Sequence, residues 1–316
     1  MPRSEFQFLR DLKDHFNLSR IGDDCAVFPK DESHDYLITS DMLVEGIDFK
    51  LEWTRPNFIG HKALAVSISD VAAMGGNAVY SLVSLAVPEK LWNDPFLDTF
   101  YEGYSGLARK FETELVGGDI SRTDGPFTID STIIGIVNKG KAVLRSGANP
   151  GDSIYVTGPL GGAAGGLKLL ESGTVFSGDL ESWKSGLLIR QLTPFPANLN
   201  SFDSLPTAMI DISDGFSSDL DHICKASGVG ARIYADKIPV ERRLRGLQLS
   251  TEEKLNLALH GGEDFELLFT ADTAKVSEYD GFLFEPIGEI TDRTGKIEIV
   301  TDEDIEPLDI GGFSHF

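Results

Sequence analysis

Hydrophobic and polar positions along the chain mix strand and helix periodicities throughout. Residues 4–16 read as a short helix, 36–39 as a strand ending at Ser40-Asp41, and 58–74 as a helix closed by Gly75-Gly76. A strand over 79–87, a helix over 96–111 and a strand over 128–137 follow. Residues 146–152, Ser-Gly-Ala-Asn-Pro-Gly-Asp, are dense in turn formers. They mark a domain boundary, giving domains at 1–145 and 146–316. Beyond it come a strand at 153–157, a helix near 162–172, a strand at 208–210 and a helix near 217–226 stopped by Gly228. A helix ends over 255–259, and 265–270 is a strand. The expected fold is a two-domain α/β (α+β) arrangement with no repeat and no low-complexity segment.

Composition narrows the function. The chain has 316 residues, 41% of them hydrophobic, enough for two cores. Fifty acidic against 28 basic residues give a net charge of -22. That balance argues against nonspecific binding to nucleic acid or to an anionic membrane. Phosphate ligands stay possible if their charge is neutralised locally, as divalent cations do. Residues 2–16 include Glu5, Asp11 and Asp14 and lack the apolar core of a signal peptide. No apolar run approaches the roughly 18 residues of a membrane span. Cys25 and Cys224 have no metal-type spacing and read as reduced packing residues. A cytoplasmic location is expected.

The acidic residues gather where apolar segments end, beside glycine. Gly22-Asp23-Asp24 precedes Ala26-Val27-Phe28, and Thr39-Ser40-Asp41 ends an apolar strand. Such carboxylates and hydroxyls can converge on a hard cation, although turn chemistry alone explains either group better. Asp70 is different. At about 100° per residue it falls on one stripe with Ile59, Ala63, Val66 and Ala73, in a helix apolar nearly all round. A carboxylate there must be paired or bound to metal, and metal is favoured because Lys62, two turns away, is the helix's one cation.

Gly117-Gly118-Asp119 closes the apolar pair Leu115-Val116, a weak signal alone. Asp211-Ile212-Ser213-Asp214-Gly215 joins a strand to a helix N-terminus, where free amides and the dipole favour anions. Helix capping explains one of its carboxylates but not both. Gly261-Gly262-Glu263-Asp264 opens the next strand and, alone, reads as a hydrated loop. The glycine-rich stretch 158–166 resembles a phosphate loop in outline. It lacks the GxxxxGK(S/T) and GxGxxG spacings, and reads mainly as close backbone packing. Neither a Ser-His-Asp nor a Cys-His arrangement can be argued, and the six histidines have no HExxH-like spacing.

Taken in order, IGDDCAV (21–27), TSDMLVEGIDF (39–49), HKALAVSISDVAAMGG (61–76), VGGDISR (116–122), RSGANPGD (145–152), YVTG (155–158), DISDGFSSDL (211–220) and GGEDFELLF (261–269) resemble the thiamine-monophosphate kinase family. That family sits in a superfamily of ATP-binding synthetases with aminoimidazole ribonucleotide synthetase, selenophosphate synthetase and a hydrogenase maturation protein. The resemblance implies two α/β domains, the N-terminal one a mixed sheet that builds a barrel-like interface in a homodimer. It also implies ATP as co-substrate, several Mg²⁺ ions, and thiamine monophosphate as acceptor. Carried over residue by residue, it makes Asp24, Thr39, Ser40, Asp41, Asp70, Asp119, Asp211 and Asp214 metal positions. Tyr101, Gly118, Asp119, Arg145 and Ser213 become nucleotide contacts, and Glu263 and Phe313 substrate contacts. Asp48 stands where some members place a substrate-contacting His. Asp41, Asp119 and Arg145 are the residues implied to carry the transfer.

The acceptor, a phosphate monoester with a second pKa near 6, is already anionic at neutral pH and needs no catalytic base. Direct transfer without a phosphoenzyme is therefore expected. The alternatives are another synthetase of the superfamily, such as aminoimidazole ribonucleotide synthetase, or a non-catalytic protein that binds nucleotide and metal.

Overall fold

The computed structural model describes residues 5–92, 95–199, 205–277, 284–302 and 304–313. The first half runs α1 (Glu5–Phe16), β1 (Ala26–Pro29), β2 (His34–Val44), α2 (Pro56–Ala73), β3 (Asn77–Pro88), α3 (Glu89–Trp92), α4 (Phe96–Lys110), β4 (Glu114–Thr123) and β5 (Thr128–Asn138). Its strands form one five-stranded sheet in the order β1-β2-β5-β3-β4, antiparallel except for the parallel pair β3–β4. Alternation along β2 and β5 turns Leu37, Leu43, Ile129 and Ile133 inward. With Ile59, Leu64 and Ile68 of α2 and Phe100 and Leu107 of α4 they form one core. Pro56 starts α2 at a position where a missing N–H costs nothing. The helix is buried nearly all round, as its composition predicts.

The second half runs β6 (Ser153–Val156), α5 (Gly162–Glu171), α6 (Ser182–Leu192), β7 (Pro206–Asp211), α7 (Phe216–Ser227), β8 (Gly230–Tyr234), α8 (Thr251–His260), β9 (Leu267–Ala271), α9 (Thr273–Ser277), β10 (Gly288–Thr291), β11 (Ile297–Val300) and β12 (Ile305–Pro307). These strands make a seven-stranded mixed sheet in the order β12-β11-β8-β10-β6-β9-β7. A second core lies between it and α7 and α8. The helix α2 of the first half also touches β7 of the second, which brings the two layers together at Ser69 and Asp211.

Three expected boundaries move. β2 does not end at Asp41: it stays paired with β5 from His34↔Asn138 to Val44↔Thr128. Continuous ladder bonding outweighs the weak strand propensity of Ser and Asp. β4 likewise runs through Gly117-Gly118-Asp119. Gly118 sits at φ 151°, and a Cβ there would lie 1.9 Å from the Val83 carbonyl oxygen, so only glycine lets the strand pass. The strand expected from 265 begins at Leu267, because Glu263 and Phe265 take left-handed conformations at φ 65° and 50°. The barrel-like closure is not formed by one chain; its sheet is open, with β1 and β4 as edges.

The glycine-rich stretch 158–166 is a packing device. Gly161 N and Ala163 N, at the start of α5, donate to the two oxygens of Asp264 at 2.5 and 3.0 Å. That carboxylate, 2% exposed, fills the helix's anion position. Arg190 of α6 pairs with both Asp264 and Glu266, at 3.4 and 2.8 Å. Asp264→Ala removes the cap and half of Arg190's pairing. It should lower unfolding free energy by about 2–4 kcal/mol in a denaturant titration. A loss below about 0.5 kcal/mol, the level of an ordinary surface change, would show that Asp264 has no structural role.

Candidate active site

The most unusual feature is buried negative charge at the junction of the two sheets. Asp24 lies in the loop before β1, Asp70 on α2 and Asp211 at the end of β7; their carboxylate oxygens come within 4.8 Å of one another. Ser69 donates to Asp211 Oδ2 at 2.6 Å, and Thr39 of β2 donates to Asp70 Oδ2 at 2.5 Å. One cation answers Asp24: Arg145, whose Nη2 and Nε reach Asp24 Oδ1 at 2.5 and 3.2 Å. Its backbone N–H also donates to Asp23 at 2.9 Å.

Burial raises every carboxyl in this group. Asp211 is pushed up to about 8, by desolvation first and by the charge of Asp24 next. Asp41 is pushed up to about 6, by burial and then by Asp130 and Asp24. Asp70 rises well above its ordinary value through burial and the charges of Asp41, Asp211 and Asp24. Even Asp24 is raised, burial outweighing its pairing with Arg145. Asp24 Oδ2 and Asp41 Oδ2 are buried without a hydrogen-bond partner among the described residues. Carboxylates crowded together, short of donors and short of cations, suit an oxygen-seeking divalent ion such as magnesium. Asp214 belongs to a second group, with Asp219 and His222 of α7, whose ligand atoms also lie within 4.8 Å of one another.

Beside the cluster opens a cavity of about 510 Å³. Asp41 lines it and so joins the two features. Asp48, Ser213, Asp214, Glu263 and Phe313 line it too, with Trp53 and Phe58 among its apolar walls. Asp48 accepts from Val44 N at 2.7 Å, which closes the turn after β2. Glu263 is held on both sides. Lys62 Nζ, almost fully buried, stands 2.6 Å from its Oε1, and Gln191 donates to its Oε2.

Other expected positions stand apart. Ser40 points to the opposite face of β2 from Thr39 and Asp41, toward Asp130 and Thr132, because side chains alternate along a strand. Asp119 is exposed on the open edge strand β4, where it accepts from Ile120 N at 2.9 Å. Tyr101 is half-buried on α4 against the ring of Phe100. Sequence reasoning missed Ser69, Gln191, Arg190 and Trp53. Leu187, Leu188 and Leu192, at helical spacing, were the available signal for α6 and hence for Arg190 and Gln191.

Comparison with known proteins bears on the whole chain. Residues 22–137 match the family model of AIR synthase related protein, N-terminal domain, and residues 149–300 that of its C-terminal domain. Thiamine-monophosphate kinase of Bacillus subtilis is 36% identical over 307 residues, 94% of this chain and 93% of the relative. The Escherichia coli K12 enzyme of the same name is 35% identical, covering 100% and 99%. A solved structure, AaThiL complexed with AMPPCP and TMP, matches with a TM-score of 0.87 at 30% identity, covering 99% of this chain and 97% of that one. The fold, the crowded carboxylates and these full-length matches agree: the chain belongs to the thiamine-monophosphate kinase family of AIR synthase-related proteins.

Proposed function

We propose that this chain transfers the γ-phosphoryl group of ATP to the phosphate of thiamine monophosphate, yielding thiamine diphosphate and ADP. The observation that carries the reading is Asp41, which lines the 510 Å³ cavity and adds its charge to the Asp24–Asp70–Asp211 cluster. A site for an organic acceptor thus adjoins one for phosphate-bound metal. Magnesium, when bound, would neutralise the phosphate oxygens of both reactants and the charge of the transferred group. Asp24, Asp70 and Asp211 are the residues best placed to hold it, with Asp41, Asp214 and Thr39 beside them. Ser40 and Asp119 complete the metal set, and Gly118, Tyr101, Arg145 and Ser213 the nucleotide contacts, on the family resemblance. Glu263, Asp48 and Phe313 serve the acceptor: a carboxylate held in an apolar-walled cavity suits a cationic ring.

The chain's own part is positional. It orients two anions in line and leaves the acceptor oxygen to attack, since the phosphate monoester is already largely dianionic at neutral pH. The same reading takes 1–145 and 146–316 as its two domains, and the cytoplasm as its location, supported by two free buried cysteines. Among the described residues no helix is long and apolar enough to cross a membrane.

The deciding assay supplies ATP, Mg²⁺ and thiamine monophosphate and follows thiamine diphosphate. Thiamine, whose hydroxyl is neutral, should be turned over at least about a hundredfold more slowly, the scale of the missing base catalysis. With chirally labelled γ-phosphate the product should be inverted. Asp41→Asn and Asp119→Asn should each abolish turnover with the fold intact. Equal rates with aminoimidazole precursors, or none with thiamine monophosphate, would overturn the reading.

The metal reading has its own test. A carboxyl whose pKa is raised in the folded chain keeps a proton that the unfolded chain releases, so its stabilising effect is lost as pH rises through the folded value. For Asp211, near 8, and Asp41, near 6, metal-free protein should lose stability between about pH 4 and pH 8. A drop in melting temperature on the order of 5–10 °C in EDTA is expected. Magnesium should reverse it at pH 8, and Asp211→Asn should flatten the slope. A flat profile in EDTA, or no recovery with Mg²⁺, would argue against a metal centre.

A homodimer belongs to the same proposal. β4 is an open edge along its length and exposes Leu115, Val116 and Ile120, while β2 exposes Met42. Light scattering should give twice the chain mass, and Ile120→Lys should give a monomer. A monomeric parent chain would refute this part alone.

A further inference from the structure

One segment without regular structure is held more firmly than a loop of its length requires. After Leu308, buried and bonded to Ile297, the chain crosses back over the active site as Asp309-Ile310-Gly311-Gly312-Phe313. Ser217, fully buried on the first turn of α7, meets it there. Its Oγ lies 2.7 Å from Gly311 O, 3.2 Å from Gly311 N and 2.8 Å from His260 Nδ1. A carbonyl can only accept, so the single hydroxyl proton goes to Gly311 O. Oγ then accepts from Gly311 N–H and from His260, so Nδ1 carries a proton. Two residues on, Phe313 N donates to Asp214 O at 3.0 Å.

The two glycines make this approach possible. A Cβ on Gly312 would stand 2.8 Å from Asp214 O, and one on Gly311 would stand 3.0 Å from His260 Nδ1. The neighbouring turn shows the same closeness, since a Cβ on Gly262 would stand 2.4 Å from Ser213 O. The segment is thus pinned to the loop carrying Ser213 and Asp214, which is itself bonded to the turn carrying Glu263, and both line the cavity. Phe313 lines that cavity and is half exposed.

We propose that Ser217 and His260 are positioning residues: they latch residues 310–313 across the cleft and so set Phe313 against the ring portion of the acceptor. The inference rests on the reading of this cavity as the thiamine monophosphate site. Ordering an irregular segment costs conformational entropy, and the latch bonds offset it before substrate arrives. Loss of the latch therefore weakens acceptor binding and leaves ATP binding alone.

The test uses the full chain with Ser217→Ala, Phe313→Ala and the double variant. Hydrogen exchange at the amides of Gly311 and Phe313 reads the latch without any substrate. It should quicken about tenfold in Ser217→Ala, the equivalent of a lost buried hydrogen bond. In steady state, Ser217→Ala should raise the KM for thiamine monophosphate about three- to tenfold, with kcat and the KM for ATP within about twofold. Added to Phe313→Ala, it should raise that KM less than about twofold further, because the residue it positions is gone. If Ser217→Ala folds poorly, His260→Ala should show the same pattern. Unchanged exchange would overturn the latch, whatever the substrate. Quickened exchange with equal effects of Ser217→Ala in both backgrounds would overturn the role assigned through Phe313. A parent chain that leaves thiamine monophosphate untouched would instead overturn the reading of the cavity, and the exchange result would still stand.

Discussion

The rest of the molecule depends on one electrostatic problem: several carboxylates share a buried junction that offers them Arg145 as their guanidinium partner. An unpaired buried charge is costly, and like charges at this separation raise each other's pKa. The fold accepts that cost in a specific place. α2 delivers Asp70 from within the first sheet's core, β7 delivers Asp211 from the second sheet, and the loop before β1 delivers Asp24. No one element could assemble the three, so the two halves must be docked for the site to exist. The Ser69–Asp211 hydrogen bond lies on that seam. On the proposed reading, a divalent ion would relieve that repulsion and so favour the docked halves.

Charge is handled in the opposite way a short distance along the cleft. Glu263 has a buried lysine on one oxygen and a glutamine amide on the other, and its backbone is in a left-handed conformation that a glutamate rarely adopts. This carboxylate is held on both oxygens, whereas two of the junction carboxylates, Asp24 and Asp41, each leave a buried oxygen without a partner among the described residues. On the proposed reading, the first would face the cationic part of the acceptor and the second would supply ligand oxygens to metal.

Much of this was legible in the sequence, for identifiable reasons. Asp70 stood out because helix periodicity placed a charge on a face that composition showed to be apolar, and no cation within reach answered it. The structure gives it Thr39 as a donor and more negative charge as neighbours. Strand ends were misread wherever polar residues had a reason other than a turn. Ser40 and Asp41 break the apolar pattern of β2 without ending it, since one faces Asp130 and the other the cavity. The pleat also turns the Ser40 side chain to the opposite face from its two neighbours, which adjacency in sequence does not reveal. α6 went unseen although Leu187, Leu188 and Leu192 repeat at helical spacing, and with it went Arg190 and Gln191.

Glycine pairs explain the remaining difference. A glycine pair such as Gly261-Gly262 or Gly311-Gly312 can let backbone amides approach a phosphate. The structure uses them to let three chain segments approach one another: a Cβ at Gly262 would meet Ser213 O, and one at Gly312 would meet Asp214 O. From sequence the two uses cannot be separated, because both require only that a side chain be missing. They differ in what lies opposite, and that is a tertiary fact. The consequence reaches the chemistry all the same. The loop bearing Ser213 and Asp214 is bonded backbone to backbone to both the turn bearing Glu263 and the segment bearing Phe313. Together the three build one wall of the cavity, which is how glycine pairs distant in sequence bear on a single site.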